Sequence, residues 1–170
     1  MKTITCLLAI SSIALTGCVG TVKHRAEFSP SYALKPDTQV AVEAVSNDTG
    51  KSFDFDIAEE LKKQLNLQLA REGLQWASAS GGEPLHLSAK ILHYEKGNAF
   101  GRWLWPGVGS TVLEVEGELM TRGNSEKVAK VKALRTVDMG GAYSIGQWKI
   151  VFESVARDIA QELKKQLRRK

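Results

Sequence analysis

Beyond residue 18 the chain has no cysteine; its only two, Cys6 and Cys18, stand near the amino terminus. Residues 19–170 therefore form no disulfide, hold no thiolate metal site and offer no cysteine nucleophile, so their stability comes from packing. Histidine is scarce as well: His24, His86 and His93. Alternation along a strand read over Leu85–Tyr94 sends His86 and His93 to opposite faces, which excludes a shared metal. No Gly-x-Ser-x-Gly elbow is present. The glycines from Gly97 to Gly109 lack the Gly-Lys-Ser/Thr of a phosphate loop, and Gly109-Ser110 leads into a strand rather than a helix. The only carboxylate cluster is Glu114, Glu116 and Glu118. On a strand face beside lysines it reads as a charge-paired surface, because acid–base work needs a cleft and separated pKa values. Catalytic, cofactor-binding and metal-binding residues are accordingly expected to be none.

The amino-terminal stretch is informative. Lys2 is the only charge ahead of an apolar run of about a dozen residues, too short to span a bilayer as a mature helix. The run ends in Leu15-Thr16-Gly17-Cys18. These four residues resemble a bacterial lipobox. The resemblance implies cleavage before Cys18, diacylation of its thiol and acylation of the new amino terminus. Val19, rather than aspartate, follows the cysteine, which by resemblance to enterobacterial sorting implies the outer membrane, facing the periplasm. A plain cleaved signal with a chance cysteine is the alternative. The expected organisation is a lipoprotein signal peptide over 1–17, a lipidated cysteine and tether over 18–36, and one periplasmic domain over 37–170.

The formal net charge of +4 suggests a nucleic-acid binder until the charges are located. Five positives crowd into the last seven residues, Lys164 to Lys170, and residues 18–163 sum to −2. Cations at a helix carboxyl end offset the helix dipole. The basic character is a tail rather than a face, and an exported domain does not meet nucleic acid.

Residues 19–36 show no sustained apolar period, and Pro30 and Pro36 bar a helix near their end, so they read as a tether. Gln39–Val45 is a short β-branched strand, followed by a turn at Asn47–Gly50. Asp56 and Glu59 fit a capping box for a helix whose apolar stripe is Ile57, Leu61, Leu65 and Leu69, closed by Gly73. Leu74–Ala77 reads as a short strand. Leu85–Tyr94 and Val112–Met120 are longer ones. Val128–Val137 pairs with the second of these about Gly123, setting Glu116 opposite Lys130 and Glu114 opposite Lys132. Ser144 and Gln147 fit a second capping box. The last helix carries Trp148, Phe152, Val155, Ile159, Leu163 and Leu167 on one stripe, with Glu153, Arg157, Asp158 and Lys165 largely off it. This order predicts an α+β fold: a two-layer sandwich in which two amphipathic helices cover a mainly antiparallel sheet of four to five strands.

Between the strands lies a loop, Glu95–Ser110, rich in glycine and aromatic residues. Phe100, Arg102, Trp103 and Trp105 make it the candidate contact surface for a partner or a membrane, because Trp and Arg are over-represented at interface hot spots and Trp favours the bilayer interface. The competing structural reading folds these rings back as a lid over one end of the sandwich.

The run from Gly97-Asn98 through Arg102 to Gly109, followed by an alternating strand, a glycine turn and a final amphipathic helix, resembles a family of small bacterial lipoproteins. That family is catalogued as domain of unknown function 4410. The likeness covers most of residues 37–168. It implies an envelope lipoprotein with a mixed α/β fold and carries over no catalytic residue. Two functions are then in play. One is a non-enzymatic binding or assembly module, held at the membrane by its lipid and facing an envelope protein, lipid or glycan partner. The other is a lipid-anchored periplasmic hydrolase whose site is invisible in the sequence.

Overall fold

The structure is a computed structural model and describes residues 22–30, 32, 35, 37–77, 82–98, 109–123, 126–137 and 147–168. In chain order its elements are β1 (Val22–Phe28), β2 (Val40–Asn47), α1 (Ile57–Arg71), β3 (Leu85–Glu95), β4 (Thr111–Met120), β5 (Lys127–Val137) and α2 (Gln147–Leu167). The five strands form one sheet in the order β1-β5-β4-β3-β2. All neighbours pair antiparallel except β2 and β3, which run parallel because α1 carries the chain back between them. The expected α+β class, strand number, mainly antiparallel pairing and two helices are all present.

One side of the sheet is apolar because alternate positions along each strand are. Leu85, Leu87, Ala89 and Ile91 on β3, Leu113, Val115 and Leu119 on β4, and Ala129, Val131 and Ala133 on β5 are all buried. Helix α2 supplies Val151, Phe152, Val155, Ile159, Leu163 and Leu167 to the same core. Helix α1 supplies the predicted Ile57, Leu61, Leu65 and Leu69. Each fully buried aliphatic side chain contributes about 1.5–3 kcal/mol relative to exposure. The opposite side of the sheet carries Lys90, Lys130 and Lys132, all exposed, and the partly exposed Glu114, Glu116 and Glu118.

The ends of α1 form as their residues dictate. The Asp56 carboxylate accepts from the N–H groups of Ala58 at 2.9 Å and Glu59 at 3.0 Å. At the other end Gly73 adopts φ +69°. Its N–H donates to the Ala70 carbonyl at 3.0 Å and that of Leu74 to the Leu69 carbonyl at 2.8 Å, the two bonds of a Schellman cap. The short strand expected at Leu74–Ala77 is reduced to a single bridge between Gln75 and Val40. Ser144, the expected cap of α2, lies outside the described residues.

Four expectations differ from the structure. The segment read as a tether over 18–36 contains β1, which pairs with β5 from Val22 opposite Arg135 to Phe28 opposite Ala129. Backbone pairing along the β5 edge, rather than a strong apolar stripe, holds it. The β4–β5 register is offset from the expected one. Glu116 lies opposite Lys132 and Glu118 opposite Lys130. The connection is longer than a turn about Gly123, since Thr121 N–H donates to the Glu126 carbonyl at 3.1 Å and a bulge falls between Leu119 and Met120. A second bulge, between Ile91 and His93 on β3, inverts the alternation there. It buries Tyr94 and places His93 on the same side as His86, opposite Glu114 and Met120 respectively. Seven residues of strand still separate the two histidines by roughly 23 Å. Finally Asp158, expected off the apolar stripe of α2, is buried at 7% exposure.

Candidate functional site

The topology brings one set of chain segments to a single end of the sheet. Strand β1 begins there, opposite the end of β5, while β4 begins there and β3 ends there. Parallel pairing brings the end of β2 to the same place. Both helices start there too. Phe55, just ahead of α1, stacks on Trp148 of the first turn of α2 with ring centroids 4.3 Å apart.

Aromatic packing organises this end. The bulge that turns Tyr94 inward sets its ring 5.0 Å from Phe53, 6.1 Å from Phe55 and 5.1 Å from Phe152. Among the described residues the Tyr94 hydroxyl has no hydrogen-bond partner. Burial, with a smaller contribution from the Asp54 charge, pushes the phenol well above its ordinary pKa. It is a neutral group of the core at neutral pH. Outside the rings, Lys96 pairs with Asp54 at 2.6 Å and lies 5.4 Å from the centre of the Trp148 ring; Lys149 lies 5.0 Å from it. The Lys96 hydrogen bond holds the Asp54 carboxyl below the usual range.

The loop from residue 96 to residue 110 springs from this end. Its base is closed by Asn98 N–H donating to the Gly109 carbonyl at 2.9 Å, between Gly97 at φ +71° and Gly109 at φ +74°. Thr111 hydroxyl donates to the Lys96 carbonyl at 2.9 Å. The expected contact residues Phe100, Arg102, Trp103 and Trp105 lie outside the described residues, as do the expected lipobox residues Leu15, Thr16 and Gly17 and the expected lipidation site Cys18. What the structure fixes is the place from which the loop and the amino-terminal segment depart, and it is the same end of the sheet.

Across the open side of the sheet the carboxylates of β4 form a stripe beside the lysines of β5. Glu116 accepts from Lys130 at 2.6 Å and Lys132 at 3.0 Å, and Glu118 from Lys127 at 2.8 Å. These lysines, Lys130 first, hold the Glu116 carboxyl below the usual range. It is an ionised acceptor at neutral pH. A shallow groove of about 460 Å³ runs beside β1, lined by Lys23, Arg25, Glu114, Lys132 and Leu134 among others. Among the described residues no group of three His, Cys, Asp or Glu is placed to hold a metal, and no helix is long and apolar enough to cross a membrane.

On the covered side one ion pair and one histidine contact, each with a buried carboxylate, escaped the sequence reading. Arg135 of β5 forks onto Asp158 of α2, and His24 of β1 stands 3.9 Å from Glu162 of α2. The available signal was Arg135 itself, which continues the inward series Ala129, Val131, Ala133. An arginine at such a position needs an internal carboxylate.

The geometry is that of an α+β domain with a charge-striped open sheet face and an aromatic, lysine-edged end from which its amino-terminal segment departs. The chain belongs to the family described as domain of unknown function DUF4410, whose model matches residues 31–141. Among solved structures it is similar to two dodecamer structures of PelC from Paraburkholderia phytofirmans. The one in space group C2, a point variant, shows 20% identity over 88% of this chain and 100% of that one, with a TM-score of 0.60. The one in space group P6 shows 19% identity over the same shares, with a TM-score of 0.59. Protein XCC0632 from Xanthomonas campestris matches at 13% identity over 82% and 88% of the two chains, with a TM-score of 0.48. No curated protein matches the sequence.

Proposed function

We propose that the protein is a lipid-anchored lipoprotein of the bacterial envelope, a non-enzymatic binding or assembly module on the outer membrane that faces the periplasm. In this reading Leu15-Thr16-Gly17 directs cleavage, Cys18 carries the lipid, and the domain is a two-layer sandwich with both helices on one side of its sheet. The carrying observation is the position of Cys18 just ahead of β1, with only residues 19–21 between them. The lipobox cysteine abuts a strand that belongs to the folded sheet. A single acyl chain holds a protein only marginally, whereas two or three hold it stably. Assembly is included because the PelC neighbours are dodecamers. Phe100, Arg102, Trp103 and Trp105 are the proposed contacts for an envelope protein, a lipid or a glycan. The test is mass spectrometry of the mature amino terminus together with fractionation. Acylated Cys18 and retention in the membrane fraction through a high-salt wash are expected, with Cys18→Ser uncleaved or soluble. Equal membrane retention of wild type and Cys18→Ser, with no acyl mass, overturns the reading. A lipid-anchored hydrolase is the second reading, favoured only by the open groove beside β1; turnover of ester or glycan substrates lost in Lys132→Ala would support it.

A further inference from the structure

We infer that β1 is a releasable strand, which lifts off the edge of β5 while the rest of the domain stays folded and so lengthens the leash between Cys18 and the domain. The lengthening rests on the anchoring reading above; the release does not. The first argument is burial. Strand β1 lies at an edge of the sheet and pairs only with β5. Each of β2, β3, β4 and β5 has at least one buried apolar side chain. None of residues 23–28 is buried. Lys23, His24, Arg25 and Glu27 are exposed, and only Ala26 and Phe28 pack partly against the core. Segments that open locally are those with few buried apolar contacts and with backbone hydrogen bonds close to solvent.

The second argument is what β1 covers. Its neighbours on the covered side are polar: Arg135, opposite Val22, forks onto Asp158, and His24 stands 3.9 Å from the Glu162 carboxylate, beyond hydrogen-bond distance. Both carboxylates are buried, and lifting β1 lets water back to this margin, which lowers the cost of burying charge. Neither carboxylate loses its remaining partners, since Asp158 keeps Arg135 and Glu162 keeps the Gln166 amide at 2.8 Å. The third argument is length. With β1 in place, residues 19–21 hold the strand within about 14 Å of Cys18. Release runs as far as Tyr32, which packs against the core. The leash then spans residues 19–31 and reaches about 50 Å at full extension. The domain is held close to the bilayer in one state and ranges farther across the envelope in the other.

Amide hydrogen exchange, followed residue by residue on the lipidated protein, tests the release. Ser29 N–H donates to the Val128 carbonyl at 2.8 Å, and antiparallel alternation points the N–H groups of Arg25 and Glu27 at β5 as well. These amides should exchange roughly a hundredfold faster than that of Val115 in the middle of the sheet. Arg25 lies opposite Lys132, so Arg25→Cys with Lys132→Cys allows a disulfide across the two strands. Oxidation should slow the Glu27 amide toward the rate of Val115, and reduction should restore it. Arg25→Pro removes an N–H that faces β5 and holds the strand open, yet the β3 and β4 amides should stay protected. Exchange of Glu27 and Ser29 no faster than that of Val115 in wild type overturns the release, as does loss of protection throughout the sheet in Arg25→Pro. Neutron reflectometry on a supported bilayer then reads the leash. The outer edge of the Arg25→Pro layer should lie about 10 Å farther out than that of the disulfide-locked protein, the difference between the mean spans of the two leashes. Equal layers overturn the lengthening. Should cells yield no acyl mass on Cys18, the anchoring reading fails by itself, and exchange on Cys18→Ser protein decides the release separately.

Discussion

Arg135 of β5 donates through its Nε and a terminal amino group to the two carboxylate oxygens of Asp158 on α2, both at 3.0 Å. The pair is the polar bolt between helix and sheet. Asp158 is 7% exposed, so its charge has little water to fall back on. Removing one charge from a buried pair leaves the other uncompensated and costs about 3–5 kcal/mol, whereas replacing both by apolar residues of similar volume is often neutral or stabilising. Asp158→Ala and Arg135→Ala are each expected to lower the urea midpoint markedly. Arg135→Met with Asp158→Leu is expected to recover most of the loss. A double variant as unstable as the sum of the singles would show that the two side chains act independently and are not coupled through the fork.

Tyr94 and Phe152 test the aromatic cluster from two directions. Truncating a buried Phe costs about 3–5 kcal/mol, so Phe152→Ala should come close to unfolding a domain of ordinary stability. Lys165→Ala, on the exposed side of the same helix, should leave the midpoint in place. Tyr94→Phe removes a buried hydroxyl without a partner among the described residues while keeping the ring contacts. A buried hydroxyl that makes no hydrogen bond carries a desolvation penalty of about 1–3 kcal/mol. Tyr94→Phe is therefore expected to be neutral or stabilising by denaturant unfolding. A clear destabilisation would reveal a hydrogen bond, through water, at this hydroxyl.

Periodicity carried the parts of the fold that bury a continuous apolar stripe. The four-residue spacing from Ile57 to Leu69 and the series from Phe152 to Leu167 are the buried sides of α1 and α2. Strand β1 had no such stripe. His24, Ala26 and Phe28 alternate with Lys23, Arg25 and Glu27, but only Phe28 is a large apolar residue, and the strand is held by backbone pairing to β5. Bulges hid two further features, since one inserted residue inverts every later side chain. The bulge at Leu92 turned Tyr94 inward, and the one at Val128 of β5 helped to move the glutamate–lysine register. Of the candidate site, the Leu15–Cys18 motif and the tryptophan-rich loop were singled out by composition and spacing alone. That both depart from one end of the sheet was not legible in the sequence, because strand order and direction decide it.

The loop from Gly97 to Gly109 can now be tested from its base. Asn98 and Gly109 close it at 2.9 Å, so changes within it need not disturb β3 and β4. As a docking surface, Trp103→Ala and Trp105→Ala are expected to leave the unfolding midpoint near that of wild type and to abolish recovery of the envelope partner or quenching by lipid-borne quenchers. As a lid, the same changes lower the midpoint like core truncations. Trp76→Phe and Trp148→Phe remove the background emission first. Large stability losses with partner recovery and quenching unchanged would exclude the docking role.

Glu116 gives a prediction in pH. Its carboxylate accepts from Lys130 at 2.6 Å and Lys132 at 3.0 Å, and these bonds, Lys130 first, hold its pKa below the ordinary glutamate value. The reciprocal bond raises the pKa of Lys130. A carboxyl whose folded pKa lies below its unfolded one contributes stability that is fully present at neutral pH. That contribution is lost as pH falls from the ordinary carboxylate range through the lower folded value. The contribution is small, because exposed pairs are screened by water and salt. Its site-specific signature is clearer than its energy. In a carbon-detected NMR titration the Glu116 carboxyl is expected to have a midpoint below that of an unpaired glutamate. Lys130→Ala should raise the midpoint more than Lys132→Ala, and high salt should raise it in wild type. Glu116→Gln should flatten the acid limb of the stability profile in the same window and, because it also removes the bond that raises Lys130, weaken the loss of stability as pH rises through the lysine range. A Glu116 midpoint that ignores both lysine substitutions would mean that the stripe on the open face is not held by these cross-strand bonds in solution.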